Sequence, residues 1–551
     1  MFTTRITNIV TKNLVSDWVT GGIYKNVTFL KRTNYKRVLT RPFYYKTSSE
    51  FDNKVAIQDV TGRYTFNNIF SEAVELSKSI SSQLDGKKGE RILFLCPNDA
   101  SYIVTLWAIW ISGQIAVPLS PLHPENLLSY YANDTKSALI VTSSIYSKKM
   151  EILSDQAKVK LYVLPETIPN KSFQKGNVIG DGKLVNATDG ALILYTSGTT
   201  GNPKGVVLTH KNLQTQINTL INAWNWTSND VILHTLPLHH VHGTINALFC
   251  PMRVGATTIM LPKFDAKKVW SYFLNEGENQ HENVSVFMAV PTIYSKLIDE
   301  FEQNIKNRGV DVKTTLSNRV RLMVSGSAPL PNPLYEKWLQ ISGHRLLERY
   351  GMTEIGMCLS NLYDSNRAPG FVGLPLPSVT VALADQNDGH IVVQCSNEDG
   401  KIMCFSENYK KDMSGELLVK GDSVFKEYFD RPEATEKEFV DGWFKTGDLC
   451  EYVHEDNKFR ILGRKSVDII KSGGYKISAL QIETCLLAHP DIKECAVMGV
   501  PDEVYGERLK DWAVDKMPKY WIPTVLIFTE DIPKNAMGKI NKKELVKLFA
   551  S

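Results

Sequence analysis

At 551 residues the chain exceeds what one hydrophobic core organises, so two or more domains are expected. Apolar residues make up 43% and charged residues 22%, ordinary for a globular chain, and 63 basic against 59 acidic side chains leave a net charge of +4, too small to argue for a nucleic-acid partner. No stretch of about 18 apolar residues occurs, so no membrane-spanning helix is expected. The eight cysteines are scattered, with no Cys-x-x-Cys pair, and read as reduced, buried thiols.

Residues 1–49 carry nine Lys/Arg and one acid, Asp17, with frequent Ser and Thr. Ile6, Val10, Leu14 and Trp18 recur at helical spacing. A basic, acid-poor, partly amphipathic start is the composition of a mitochondrial transit peptide, here assigned to residues 1–46; a basic tail with no partner is the alternative. Beyond it, strand-like and helix-like patterns alternate. Arg91–Leu95, 115–119 and 138–141 read as buried strands and Ile103–Ile111 as an apolar helix face, which predicts parallel sheets covered by helices.

The most informative stretch runs from Tyr195 to Gly205. Apolar runs at 191–194 and 206–208 enclose it, which predicts two buried strands joined by a loop. Gly198, Gly201 and Gly205 give the backbone freedom to aim several N–H groups at one anion. Thr196, Ser197, Thr199 and Thr200 add hydroxyls, and Lys204 adds a compact charge suited to phosphate. The order differs from the Gly-x4-Gly-Lys-[Ser/Thr] loop, because no Ser or Thr follows a Gly-Lys pair.

Further along, His239, His240 and His242 crowd into four residues. Adjacent imidazoles with no Cys or carboxylate at ligand spacing argue against a metal centre. In 320–329, alternation puts Arg321 on a face with Met323 and Ser325. A buried Arg there needs an anion: either a protein carboxylate or a carboxylate of the substrate. In 348–354, Tyr350 adds an aromatic face, Thr353 a hydroxyl and Glu354 a carboxylate. Asp441-Gly442 signals a tight turn, and Asp448 lies beyond it. Gly473 and Gly474 mark another turn, and Lys539 stands on a loop fixed by Pro533 and Gly538.

These strings together resemble the adenylate-forming superfamily of acyl-CoA synthetases, luciferases and peptide-synthetase adenylation domains. The resemblance runs over nearly the whole chain after residue 50. It implies an α/β fold: a large N-terminal domain (47–463) of stacked sheets and helices with a small β-barrel, and a small mobile α+β C-terminal lid (464–551). It implies that Thr196, Ser197, Gly198, Thr199, Thr200, Gly201 and Lys204 hold the ATP phosphates. Ser325, Gly326, Ser327, Tyr350 and Gly351 would line the adenine and substrate side, and Asp448 and Arg464 the ribose. Thr353 would meet the α-phosphate, Glu354 would hold Mg²⁺, and Lys539 would act at the reacting centre. His240 and Met352 would face the acyl group. Ser466 would be the pivot of a domain rotation that brings Gly473, Gly474 and Tyr475 to coenzyme A.

Within the superfamily the strings at 236–248, 287–294, 346–357 and 467–480 most resemble malonyl-CoA synthetases. The implied reaction takes malonate, with methylmalonate as an alternative acid, through an acyl-AMP to the CoA thioester in the mitochondrial matrix. Arg321 is the first candidate for the second carboxylate, and Arg253 the next. Two other readings stay open: a synthetase for a medium-chain or other acid, and a nucleotide-binding relative with impaired catalysis. The latter is raised by a departure from the family pattern after Arg508, where a segment that includes a sheet strand is missing. The sequence does not speak to oligomeric state.

Overall fold

The computed structural model describes residues 39–40, 42–165, 185–196, 202–277, 283–398, 400–408, 412–466, 468–472, 475–487, 492, 495–499, 527, 529, 532–533 and 540–549. The transit-peptide stretch up to residue 38 and the departure after Arg508 lie outside them. Among the described residues no helix is long and apolar enough to cross a membrane.

A first sheet of seven strands is built on Arg91–Leu95, whose Ile92 to Leu95 are fully buried. Each such Ile, Leu or Phe contributes about 2 kcal/mol of transfer free energy. Parallel neighbours lie on both sides, Ile115–Pro118 and Leu139–Thr142, with Lys160–Val163 at one edge. On the other side follow Gly190–Thr196, then Lys204–Thr209 running antiparallel, then the two-residue strand Glu427–Tyr428. The predicted pair of strands around the glycine loop is therefore a hairpin in which Thr196 faces Lys204. Helix Ala100–Ile111 begins at Asp99, whose carboxylate accepts the Ser101 N–H. Its Trp110 donates to the Ala191 carbonyl at 2.7 Å, which ties the helix to the strand entering the loop.

A second sheet has nine strands. Its centre is parallel: Leu347–Met352, Leu322–Ser325, Val286–Ala289, Val231–His234 and Thr257–Met260 are neighbours in that order. One apolar core runs between the two sheets and is filled by Trp107, Trp110, Phe249 and the strand side chains. The small barrel expected from the resemblance is a third, antiparallel sheet that includes Val379–Ala384, Met413–Gly421, Trp443–Val453 and Lys458–Arg464. Among the described residues its pairings do not close a ring. The Asp441-Gly442 turn is present, with left-handed φ of 48° and 76°, joining Phe439–Val440 to Trp443–Val453. Mirror-image turns of this kind match the twist of the strands they join.

One expectation about the cysteines is corrected here. Cys395 and Cys404 face each other across two strands of the third sheet and form a disulfide. A spacing of nine residues gives no Cys-x-x-Cys signal; the pairing depends on the strand register. Cys96, Cys250, Cys358, Cys450 and Cys485 are free thiols.

After Arg464 come the hairpin Ile469–Ser472 with Tyr475–Ser478, the helix Ala479–Leu486, and the final helix Lys542–Phe549. Ser478 caps the first of these helices by accepting the Gln481 N–H, and its hydroxyl also donates to the Leu462 carbonyl.

Candidate active site

The hairpin Gly190–Thr196/Lys204–Thr209 delivers Thr196 and Lys204 to one place; Ser197, Gly198, Thr199, Thr200 and Gly201 lie outside the described residues. Both ends of the loop are braced. Tyr195 donates to Asp134 at 2.7 Å, Arg431 also binds Asp134, and Tyr130 donates to the Pro203 carbonyl at 2.8 Å. The Lys204 ammonium sits 3.2 Å from Glu438 and 4.0 Å above the centre of the Tyr428 ring. The Tyr428 hydroxyl donates to Glu354 at 3.0 Å. Burial raises the Glu354 carboxyl above its usual range, and the Tyr428 hydroxyl, Arg464 and Lys204 pull in the opposite direction.

Two parallel strand ends meet beside this group. Leu322–Ser325 pairs with Leu347–Met352, Ser325 opposite Glu348. The Arg349 head lies across the backbone of Gly326. Arg349 is 5% exposed, has no carboxylate within ion-pair distance among the described residues, and leaves its Nε without a partner. Among the described residues its side chain hydrogen-bonds the Ser327 hydroxyl at 3.4 Å, which lies 3.2 Å from His242 Nδ1. Burial pushes the guanidinium down to about 9. The Ser325 hydroxyl is likewise buried without a partner. Ser327 has a φ of 68°, a left-handed angle that turns the chain here.

His242 opens a π-helix, His242–Phe249, the wide form that recurs at functional sites. His240 precedes it, half-buried, its ring 4.0 Å from that of His239. Burial first, then His240 and His123, keeps His239 neutral. Among the described residues no cluster of three or more His, Cys, Asp or Glu is placed to hold a metal ion.

Tyr350 donates to Asp448 at 2.5 Å, and Arg464 donates to the same carboxylate at 2.8 Å from Nε. Asp448 and Arg464 are direct cross-strand partners in the third sheet. Three residues that lie far apart in the chain are thus joined by one carboxylate. Gly351 is required where it stands: a Cβ would come within 2.1 Å of the Gly356 carbonyl oxygen. Met352 packs half-buried against the core at the strand end, and Thr353 begins the turn that leads to Glu354.

Arg321 is a correction. It precedes the strand, and its guanidinium donates to both Asp230 oxygens at 2.7 and 2.8 Å and to the Trp224 carbonyl at 3.0 Å. The protein carboxylate is therefore its partner, and no side of the fork is left for a substrate. Arg253 sits in the last turn of helix Cys250–Val254.

In the small C-terminal part, Ser466 is exposed in a turn. Beside it Asp468 accepts the Arg464 N–H at 2.9 Å, and Lys542 lies 2.7 Å from both Asp468 and Glu483. Gly473, Gly474 and Lys539 lie outside the described residues, as does the Tyr475 side chain.

Sequence reasoning passed over Arg349 and Tyr428, and weighed His242 only as a member of the histidine cluster. Arg349 had a signal: a charge adjoining an apolar strand has to be buried or turned out, and only the Gly326 neighbour says which.

The AMP-binding enzyme family matches residues 45–429, and the AMP-binding enzyme C-terminal domain matches residues 481–539. The mitochondrial malonate–CoA ligase ACSF3 of Mus musculus is 45% identical over 525 residues, which cover 90% of this chain and 89% of the relative. ATP-bound MatB from Rhodopseudomonas palustris superposes with a TM-score of 0.77 at 27% identity, covering 92% of this chain and 99% of that one. A malonyl-CoA ligase ternary product complex with methylmalonyl-CoA and AMP bound gives 0.60 at 30% identity, covering 82% and 86%. With a family match along most of its length and this identity over nine-tenths of it, the chain belongs to the AMP-binding enzyme family.

Proposed function

We propose that the chain is an AMP-forming acid–thiol ligase that activates malonate with ATP and transfers it to coenzyme A. The observation that carries the choice of acid is Arg349, a buried cation with no carboxylate partner among the described residues, set against Gly326 and Ser327 beside His242. A dicarboxylic acid brings the missing anion with one end and reacts with the other. The relatives named malonate–CoA ligases support the same acid. The methylmalonyl-CoA in the solved ternary complex supports methylmalonate as a second one.

In the first half-reaction the free malonate carboxylate attacks the α-phosphorus of ATP. Malonyl-AMP forms and pyrophosphate leaves. Tyr350 lies against adenine, Asp448 and Arg464 hold the ribose, and the Thr353 hydroxyl donates to the α-phosphoryl oxygen. Thr196 to Gly201 and Lys204 receive the pyrophosphate, and Lys539 neutralises charge as it develops. His240 and Met352 bound the acyl end. These are positioning and electrostatic effects, which is what phosphoryl-type transfer requires of a protein. Glu354 fits a Mg²⁺ ion, being a single buried carboxylate among cations where the ion arrives with phosphate oxygens. When bound, the ion would supply positive charge to the phosphate oxygens.

In the second half-reaction the coenzyme A sulfur attacks the malonyl carbonyl, the thiol proton goes to solvent, and AMP leaves. We assign residues 47–463 to the large domain and 464–551 to a lid that turns about Arg464 to Ser466. That turn exchanges Lys539 for the segment of Gly473, Gly474 and Tyr475. The basic, acid-poor start and the mitochondrial relatives support a location in the mitochondrial matrix.

The test is ATP–pyrophosphate exchange by the full chain with malonate and with octanoate, followed by malonyl-CoA formation. Malonate is expected to drive exchange and thioester. Equal exchange with octanoate would overturn the choice of acid, and exchange without thioester would overturn the transfer step.

A further inference from the structure

Tyr428 is one half of the shortest strand of the first sheet. It stands opposite Val206, and Val206 shares a strand face with Lys204. The diagonal places the phenol ring beneath the Lys204 ammonium, 4.0 Å away, while the hydroxyl reaches Glu354 at 3.0 Å. One side chain therefore touches both groups to which the ATP phosphates and their metal are assigned.

The ring is held firmly. Tyr428 is 3% exposed, packs edge-on to Phe425 at 4.8 Å, and its backbone N–H binds the Thr435 hydroxyl at 3.0 Å. The segment before it is anchored as well, since Asn212 donates to the Asp422 and Val424 carbonyls at 2.8 Å each. The hydroxyl faces a carboxylate oxygen, so the phenol is the donor. A ring fixed this way sets where its two neighbours can go. A buried carboxylate held by one hydroxyl keeps its second oxygen for another cation. The Lys204 ammonium over this aromatic face gives one donor to Glu438 at 3.2 Å and keeps the others for an anion above.

We propose that Tyr428 is a positioning residue for the first half-reaction: its hydroxyl orients Glu354 to receive the phosphate-bound metal, and its ring face holds Lys204 over the leaving pyrophosphate. This rests on the ATP-dependent reading above.

The two parts separate by mutation of the full chain. Tyr428→Phe removes the hydroxyl and keeps the ring; Tyr428→Leu removes both. With Tyr428→Phe, half-saturating Mg²⁺ in malonate-dependent pyrophosphate exchange is expected to rise by about tenfold, the usual cost of losing a partner that orients a metal ligand. The KM for pyrophosphate should stay within about twofold, because the ring that carries Lys204 remains. Tyr428→Leu should show the same Mg²⁺ shift and a pyrophosphate KM raised by about threefold to tenfold. The melting temperature without ligand reads the fold separately, and the rise produced by ATP with and without Mg²⁺ reads binding without turnover. A Tyr428→Phe enzyme with unchanged Mg²⁺ dependence overturns the hydroxyl's role. Equal pyrophosphate KM in the two variants overturns the ring's role. If Tyr428→Leu does not fold, Tyr428→Phe alone decides, since a merely structural tyrosine would move neither parameter selectively. A parent chain with no malonate exchange but with Mg²⁺-dependent stabilisation by ATP would overturn the choice of acid and leave this comparison readable from melting temperatures.

Discussion

A methyl group on Gly326 would lie 2.4 Å from the guanidinium carbon of Arg349. Nothing larger than hydrogen fits between that backbone and that cation. Gly326→Ala should therefore push the Arg349 head off its seat. Arg349→Met should lower malonate-dependent exchange by about a hundredfold or more, the scale of losing one partner of a buried charge pair. It should leave the melting temperature of the free enzyme unchanged or higher, because an unpaired buried cation is a cost to folding. Exchange rates with malonate and with a monocarboxylic acid of similar size check this; an equal loss for both would count against a carboxylate at Arg349.

Arg321 should behave in the opposite way. Its removal strands Asp230, which is 3% exposed and held in its charged form by this fork. Arg321→Met should destabilise the fold by about 3 kcal/mol or more. The KM for malonate of the remaining folded enzyme should not change. Denaturant titration followed by steady-state kinetics separates the two effects.

Asp448 serves Tyr350 and Arg464 at once. Asp448→Asn keeps the shape and removes the charge. The KM for ATP should rise about tenfold, as expected when hydrogen bonds lose a charged acceptor. The KM for malonate should move little. Isothermal titration with ATP gives the same comparison without turnover.

Acid should weaken the fold through buried histidines. Burial lowers His234 to about 4, and burial with Lys149 nearby lowers His123 to about 4. Each takes up its proton near pH 6.5 when unfolded, so the unfolded state binds more protons between pH 6.5 and about 4. Stability is complete above that window and is lost as pH falls through it, by on the order of a few kcal/mol per group. Melting temperatures across pH 4–8 should show this fall. His123→Asn retains an acceptor for the Ser120 N–H, now taken by His123 Nδ1, and should flatten the curve.

Much of the fold was legible because long apolar runs leave few choices. Ile92 to Leu95 can only be a buried strand, and the runs on either side of Tyr195–Gly205 can only close on each other as a hairpin. Tyr350 was named for adenine and Asp448 with Arg464 for ribose, and the structure joins all three through one carboxylate. Arg321 was misread because its partner, Asp230, lies 91 residues earlier, beyond any periodic pattern. Tyr428 escaped for a related reason. Its strand is two residues long, and its importance comes only from lying beside Lys204 and Glu354. The Cys395–Cys404 bond depends on strand register in the same way.

The Arg464 residue has two holds. Its side chain grips Asp448 in the large domain, and its N–H is taken by Asp468, which Lys542 joins to the final helix. Any nucleotide that competes for Asp448 changes the free energy of the first hold, and any turn of the chain at 464–466 changes that of the second. The two are linked through one residue, so under the proposed lid motion reciprocity applies: whatever factor the lid's position contributes to nucleotide affinity, nucleotide contributes to the lid's position. On that proposal, release of AMP and reopening of the lid become a single thermodynamic event.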